Sequence, residues 1–189
     1  LKQLVPAAAA QTGTARVNGQ SIPIGLLPLQ QTLFQNAYNW TGSVDWEASP
    51  VDQVRGRYLE TRFSGSDNSV LSNLAQFAAQ RQIRRRMLSL SEYHTFSPTL
   101  LNEFRAAYTR YDDNLPAGGP LFPGLDSFPN ITLAFDLNLN LGPFDGAPQS
   151  GIQNTYQVVN NTSWTAGRHS LKWGVDARRY IASTNFIAY

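Results

Sequence analysis

Residues 154–181 read NTYQVVNNTSWTAGRHSLKWGVDARRYI. Over residues 154–165, Tyr156, Val158 and Trp164 alternate with Gln157, Asn161 and Ser163. Over residues 169–181, Leu171, Trp173, Val175 and Ala177 alternate with Lys172, Asp176 and Arg178. Successive side chains leave a pleated backbone on opposite sides, so this period of two predicts strands with one greasy and one wet face. Only Ala166-Gly167-Arg168 separates the two runs, and they close as a hairpin.

The same grammar recurs upstream. Residues 36–47 set Tyr38, Trp40, Gly42, Val44 and Trp46 against Asn39, Thr41, Ser43, Asp45 and Glu47. After a turn containing Ser49-Pro50, residues 52–63 oppose Val54, Gly56 and Tyr58 to Arg55 and Arg57. Residues 85–96 and 100–110 flank Ser97-Pro98. The first run has Leu88, Leu90 and Phe96 against Ser89 and Ser91, interrupted by Glu92 and His94, and the second has Phe104, Ala106 and Tyr108 against Glu103, Arg105 and Thr109. Three hairpins are predicted, at 36–63, 85–110 and 154–182.

Those runs match the 9–11 or so residues that a tilted strand needs to cross a hydrocarbon layer, whereas soluble strands run nearer five or six. The connections alternate too: the turns at 48–51, 97–99 and 166–168 are short, and the segments 64–84 and 111–153 are long. A compact soluble domain seldom carries so long a segment without structure of its own, whereas transmembrane barrels have short turns at one rim and long loops at the other. Within the long segments, Leu71, Leu74, Ala75 and Ala78 suggest a short helix around 70–80 capped by Ser69, and residues 131–141 suggest a small strand pair.

Composition agrees. Charged residues are 15% of the 189, well below the roughly 25% of soluble domains. Aromatics reach 12%. There are no cysteines, hence no disulfide framework and no thiolate metal site. The net charge of +2 comes from scattered arginines, and the one run, Arg84-Arg85-Arg86, reads as a solvated or headgroup-facing patch and not as a nucleic-acid site. No apolar stretch is long enough for a spanning helix, so a membrane role must come through strands. The opening residues Leu1 to Ala10 lack the features of a signal peptide, and the chain is expected to start inside a longer one.

Signs of catalysis or metal chemistry are weak. The two histidines, His94 and His169, each stand near a short turn without a second histidine or a carboxylate at ligand spacing, and no nucleophile-elbow motif marks a serine. No metal, cofactor or enzymatic activity is expected. Asp112-Asp113-Asn114 groups oxygen ligands at the mouth of a long loop, where a solvated loop is the plainer account than a calcium site.

Two sets of residues remain. Arg55, Arg57, Glu103, Arg105, Lys172, Asp176 and Arg178 would line a lumen, contacting a plug, steering a solute, or pairing across neighbouring strands. Trp40, Trp46, Tyr58, Tyr108, Tyr156, Trp164 and Trp173 would face lipid, some at headgroup level. Alternation alone does not say whether a greasy face meets lipid or a second sheet, so a secreted β-sandwich module that binds carbohydrate is the alternative.

The stretches VNGQSIPIG (17–25), NWTGSVDWEASPVDQVRGRY (39–58), EYHTFSPTLLNEFRAAYTR (92–110), FPGLDSFPNITL (122–133) and NTYQVVNNTSWTAGRHSLKWGVDARRYIA (154–182) resemble barrel segments of TonB-dependent outer-membrane receptors of the Oar-like type. The resemblance spans roughly residues 17–182 and is most specific at Asp52–Tyr58 and Asn154–Gly174. It implies an antiparallel up-and-down transmembrane β-barrel in the bacterial outer membrane, of which this chain supplies an internal fragment of about six strands. Such barrels have about 22 strands and a plugged lumen. It further implies import of a scarce solute, whose identity is open, with energy reaching the plug through TonB. The implied partners are outer-membrane lipid, the remainder of the barrel with its plug, and the TonB complex, with no nucleic acid. A passive porin is the weaker variant. In the implied orientation, residues 1–35, 64–84 and 111–153 are extracellular, residues 183–189 begin the next loop, and the short turns face the periplasm.

Overall fold

The structure, a computed structural model, describes residues 7–28, 30–66, 74–125, 128–133 and 139–186. A hairpin of β1 (Ala10–Val17) and β2 (Gln20–Leu26) comes first. Six long strands follow, β3 (Gln35–Ser49), β4 (Asp52–Ser66), β5 (Gln80–Ser97), β6 (Leu100–Leu115), β9 (Gln149–Ala166) and β10 (His169–Phe186), with the short pair β7 (Ile131–Leu133) and β8 (Leu139–Leu141) between β6 and β9. The long strands form one antiparallel sheet in the order β10-β9-β6-β5-β4-β3, each beside its neighbour in sequence among them. This is the up-and-down meander that the alternation predicts, and β7-β8 falls where the strand pair was expected.

Three differences from the sequence reading have physical causes. First, the strands run 15 to 18 residues, longer than the alternating segments. The ladder continues at the long-loop end through polar residues such as Ser64, Gln82, Asn114 and Ser150, because backbone pairing does not require greasy side chains. Second, residues 10–26, treated above as loop, form a hairpin. Its two-residue turn is Asn18-Gly19, both at positive φ (50° and 78°), the conformation a tight type I′ connection requires and the one this dipeptide favours. Third, the described part of the helix expected around 70–80 is a single 3-10 turn, Ala75–Phe77, and Ser69 and Leu71 lie outside the described residues.

The short turns solve one problem in two ways. Gly167, at φ 61°, opens the Gly167-Arg168 turn, as suits a hairpin whose first central residue must be left-handed. Pro50 and Pro98 cannot take that conformation, since the ring holds φ near −65°. Each of those turns is instead preceded by a register irregularity, between Glu47 and Ser49 and between Thr95 and Ser97, which restores the twist of the flanking strands. Each is also pinned by a serine hydroxyl that accepts a backbone N–H two residues on, Val51 to Ser49 at 3.2 Å and Thr99 to Ser97 at 3.3 Å.

Among the described residues, the buried apolar side chains lie off the sheet, except Leu115 at the very end of β6. Leu74, Phe77 and Phe128 pack together with Leu27 and Leu141, and Ala79, Leu115 and Ala147 with Phe144, all at the long-loop end. The Phe77 and Phe128 rings are 4.9 Å apart. The three long segments thus build a small packed cap, while the sheet itself is left with two open faces.

Candidate functional site: the two faces of the wall

Directly opposed residues of an antiparallel pair share a face, so the register sorts every side chain of the wall. Val44, Gly56, Leu90, Ala106, Val158 and Ala177 make one row across all six strands. The next row toward the long loops is Gly42, Tyr58, Leu88, Tyr108, Tyr156 and Arg179. Trp40, Trp46, Trp164 and Trp173 belong to the same face, so all seven predicted aromatics stand together. The Tyr108 and Tyr156 rings are 5.1 Å apart. This face is bare: Val44 is 69% exposed, Leu90 51% and Val175 63%. Among the described residues no second sheet covers it.

The opposite face carries the seven predicted charged residues. Asp45, Arg55, Ser91, Arg105, Val159 and Asp176 form one row and Ser43, Arg57, Ser89, Ala107, Gln157 and Arg178 the adjacent one. Arg55 lies 3.6 Å from Asp45 across the strand pair, donates to Gln53 at 2.9 Å and sits over the Tyr93 ring at 5.1 Å. Arg105 pairs with Glu103, which also accepts from Asn161 at 3.2 Å. Arg178 pairs with Asp176 at 2.8 Å, and Gln157 donates to both carboxylate oxygens of Asp176. Two of these three ion pairs run along a strand rather than across to a neighbour. Arg57 and Lys172 form no ion pair among the described residues. Arg55, Arg57, Arg105 and Gln157 line a shallow cleft of about 360 Å³ floored by Ser89, Ser91 and Tyr93.

A bare greasy face backed by a hydrogen-bonded polar face, on six strands of transmembrane length, is the wall of a membrane barrel and not half of a sandwich. Comparison of the sequence with protein families decides it: the family described as "Outer membrane beta barrel domain" matches residues 2–188. The chain belongs to that outer-membrane β-barrel family. No curated protein and no solved structure matches. Family membership places this barrel wall in the bacterial outer membrane and sets aside the secreted sandwich.

The barrel wall corrects two readings of single residues and divides a third group between the faces. His94 does have carboxylates at ligand distance: Asp52 stands directly opposite it on β4 and Glu92 two residues back on β5, with ligand atoms of the three within 4.8 Å of one another. His94 Nδ1 shares a hydrogen bond with Asp52, which also accepts from the Ser49 hydroxyl at 2.5 Å. Residues 42 positions apart meet only through the sheet, which local spacing does not show. Asp112-Asp113-Asn114 is strand rather than loop, so its side chains diverge. Asp112 lies 3.8 Å from Arg86, whereas Asp113 accepts from Arg81 at 2.8 and 2.5 Å. The Arg84-Arg85-Arg86 run is likewise split, Arg84 and Arg86 on the aromatic face and Arg85 on the polar one, over the Tyr111 ring at 5.2 Å.

Proposed function

We propose that this wall belongs to a TonB-dependent receptor that imports a scarce solute, with the aromatic face toward lipid, the polar face toward the lumen and the long segments outside the cell. The assembly acts as a transporter and not as an enzyme. The observation that carries the reading is the polar face: mixed charges organised into fixed pairs around Arg55, Arg105 and Arg178, with Arg57 and Lys172 left over for another surface. A water-filled passage needs polarity, whereas a plug that must seat in one orientation gains from a patterned array of charges and donors. The resemblance of residues 17–182 to Oar-like barrels supports the same reading. The other partners follow from it: the rest of the barrel and plug, and TonB through that plug.

The test uses the full-length gene product in planar bilayers and in cells. A receptor gives little steady conductance until its plug is removed, and its uptake stops when TonB is deleted. Stable open conductance together with TonB-independent uptake makes it a passive porin instead.

A further inference from the structure

The aromatic face changes character abruptly beyond its tyrosine row. One row farther toward the long loops, about 7 Å along the strands, stand Glu60, Arg86 and Arg110, followed by Arg62, Arg84 and Asp112. Four guanidinium groups there share two carboxylates. Arg62 and Arg84 both reach Glu60, at 2.6 and 2.8 Å, and Arg86 and Arg110 both approach Asp112, at 3.8 and 3.5 Å. Two positive charges are left over in this patch, at the long-loop end of the aromatic face.

The donors are not used up either. The Nε atoms of Arg86 and Arg110, though enclosed, have no hydrogen-bond acceptor, and Arg110 donates to Asn154 only at a long 3.4 Å. The Arg110 approach to Asp112 has ion-pair distance without hydrogen-bond geometry. Beside them, Tyr38, Trp40, Arg62, Arg84 and Asp112 line a cleft of about 610 Å³. Its aromatic wall is stiffened by the Arg62 guanidinium, 5.0 Å over the Trp40 ring.

We infer that this cleft, with Arg62 and Arg84 in its lining and Arg86 and Arg110 in the adjoining row, binds the phosphate of a membrane-lipid headgroup in the leaflet on the long-loop side. The inference rests on the aromatic face meeting lipid. Tyr58, Tyr108 and Tyr156 mark headgroup depth, because a ring with an apolar body and a polar tip settles there, and the arginines lie just beyond it. A phosphate offers several acceptor oxygens in the fork geometry that guanidinium groups match, and it neutralises the spare charge. Were the patch merely self-paired, four arginines would need more than two acids. The acyl chains would run down over Leu88, Leu90 and Val158, which are bare.

The experiment extracts the full-length protein from outer membranes in neutral detergent and counts bound lipid by native mass spectrometry. The wild type should retain a phosphorylated lipid, and R62Q/R84Q/R86Q/R110Q should retain at least about tenfold less, while R55Q/R57Q on the polar face keeps the full amount. R86Q/R110Q, which leaves the Glu60 pairs intact, serves if the quadruple variant fails to fold, and should also lose most of the lipid. Equal retention by wild type and arginine variants overturns the inference. So does displacement of the lipid by millimolar inorganic phosphate, which would make the cleft a site for the free anion. Spin labels at Leu90 that report water instead of lipid would sink the reading of the face itself, independently of the lipid count.

Discussion

Leu90 and Ser89 are neighbours in the chain and belong to different worlds in the wall. Leu90 sits mid-row on the aromatic face between Gly56 and Ala106, and Ser89 on the polar face between Arg57 and Ala107. An arginine at position 90 has to enter hydrocarbon, at about 2–4 kcal/mol near the midplane. At position 89 it joins an array that already holds arginines, and the cost stays below about 1 kcal/mol. Leu90→Arg should therefore lower the urea midpoint of the full-length barrel in vesicles while Ser89→Arg barely moves it; the reverse order would mean that the faces are exchanged. Glu60 is the other decisive residue. Its side chain, 7% exposed, accepts from Tyr58, Arg62 and Arg84. Glu60→Gln should destabilise the wall, and Arg62→Gln in the same chain should partly restore it, because removing one cation relieves the repulsion that the first change creates. The urea midpoints of the two variants check this. These residues were legible to different degrees. Parity along a strand is a local property, so the seven predicted aromatics share one face of the sheet and the seven predicted charged residues the other. The meeting of Asp52 with His94, or of Glu60 with Arg84, depends on register between strands, which no local pattern encodes.

At the scale of elements, the short turns were plain in the sequence because proline and glycine act through their own backbone. Ser49→Ala and Ser97→Ala each remove an acceptor for a turn amide. Each should cost about 0.5–1.5 kcal/mol, read as a lower urea midpoint, without changing the register followed by disulfide trapping of introduced pairs. The cap of long segments was less legible. Its proline and glycine content looks like unstructured loop, yet Phe77 is 1% exposed and touches Phe128 from another segment. Phe77→Ala removes the most deeply buried side chain of that small core, a change worth about 3–5 kcal/mol in a packed interior. Because the sheet does not share this core, the loss should fall on the cap alone. Protease should cut residues 116–148 faster while the heat-resistant barrel band on a gel persists, and loss of that band as well would show cap and wall to be one cooperative unit. The Asn18-Gly19 hairpin was missed for a simpler reason. Ile22, Ile24 and Leu26 alternate on its second strand, but the first, AQTGTARV, is mostly small and polar, so the greasy alternation used to find the other strands shows on one flank only.

For the whole molecule, the edges matter most. β3 and β10 flank the sheet, each with one side unpaired among the described residues. In lipid every unsatisfied backbone group costs several kcal/mol, so a six-stranded sheet has to pair onward before it is stable there. The 189-residue chain alone should not form a monomeric, heat-modifiable barrel in detergent. Finding one, or a monodisperse folded species in plain buffer, would contradict the wall reading. By itself the sequence determined which residues alternate, where the chain turns and therefore that the wall has two unlike faces, since these follow from backbone geometry within a few residues. Only the tertiary structure decided which strands are neighbours and in what register. It also showed that the long segments pack on one another and that four arginines from three strands converge beyond the tyrosine row. Those outcomes depend on contacts between distant parts of the chain, whose partners are chosen by the free energy of the whole sheet and not by any local run of residues.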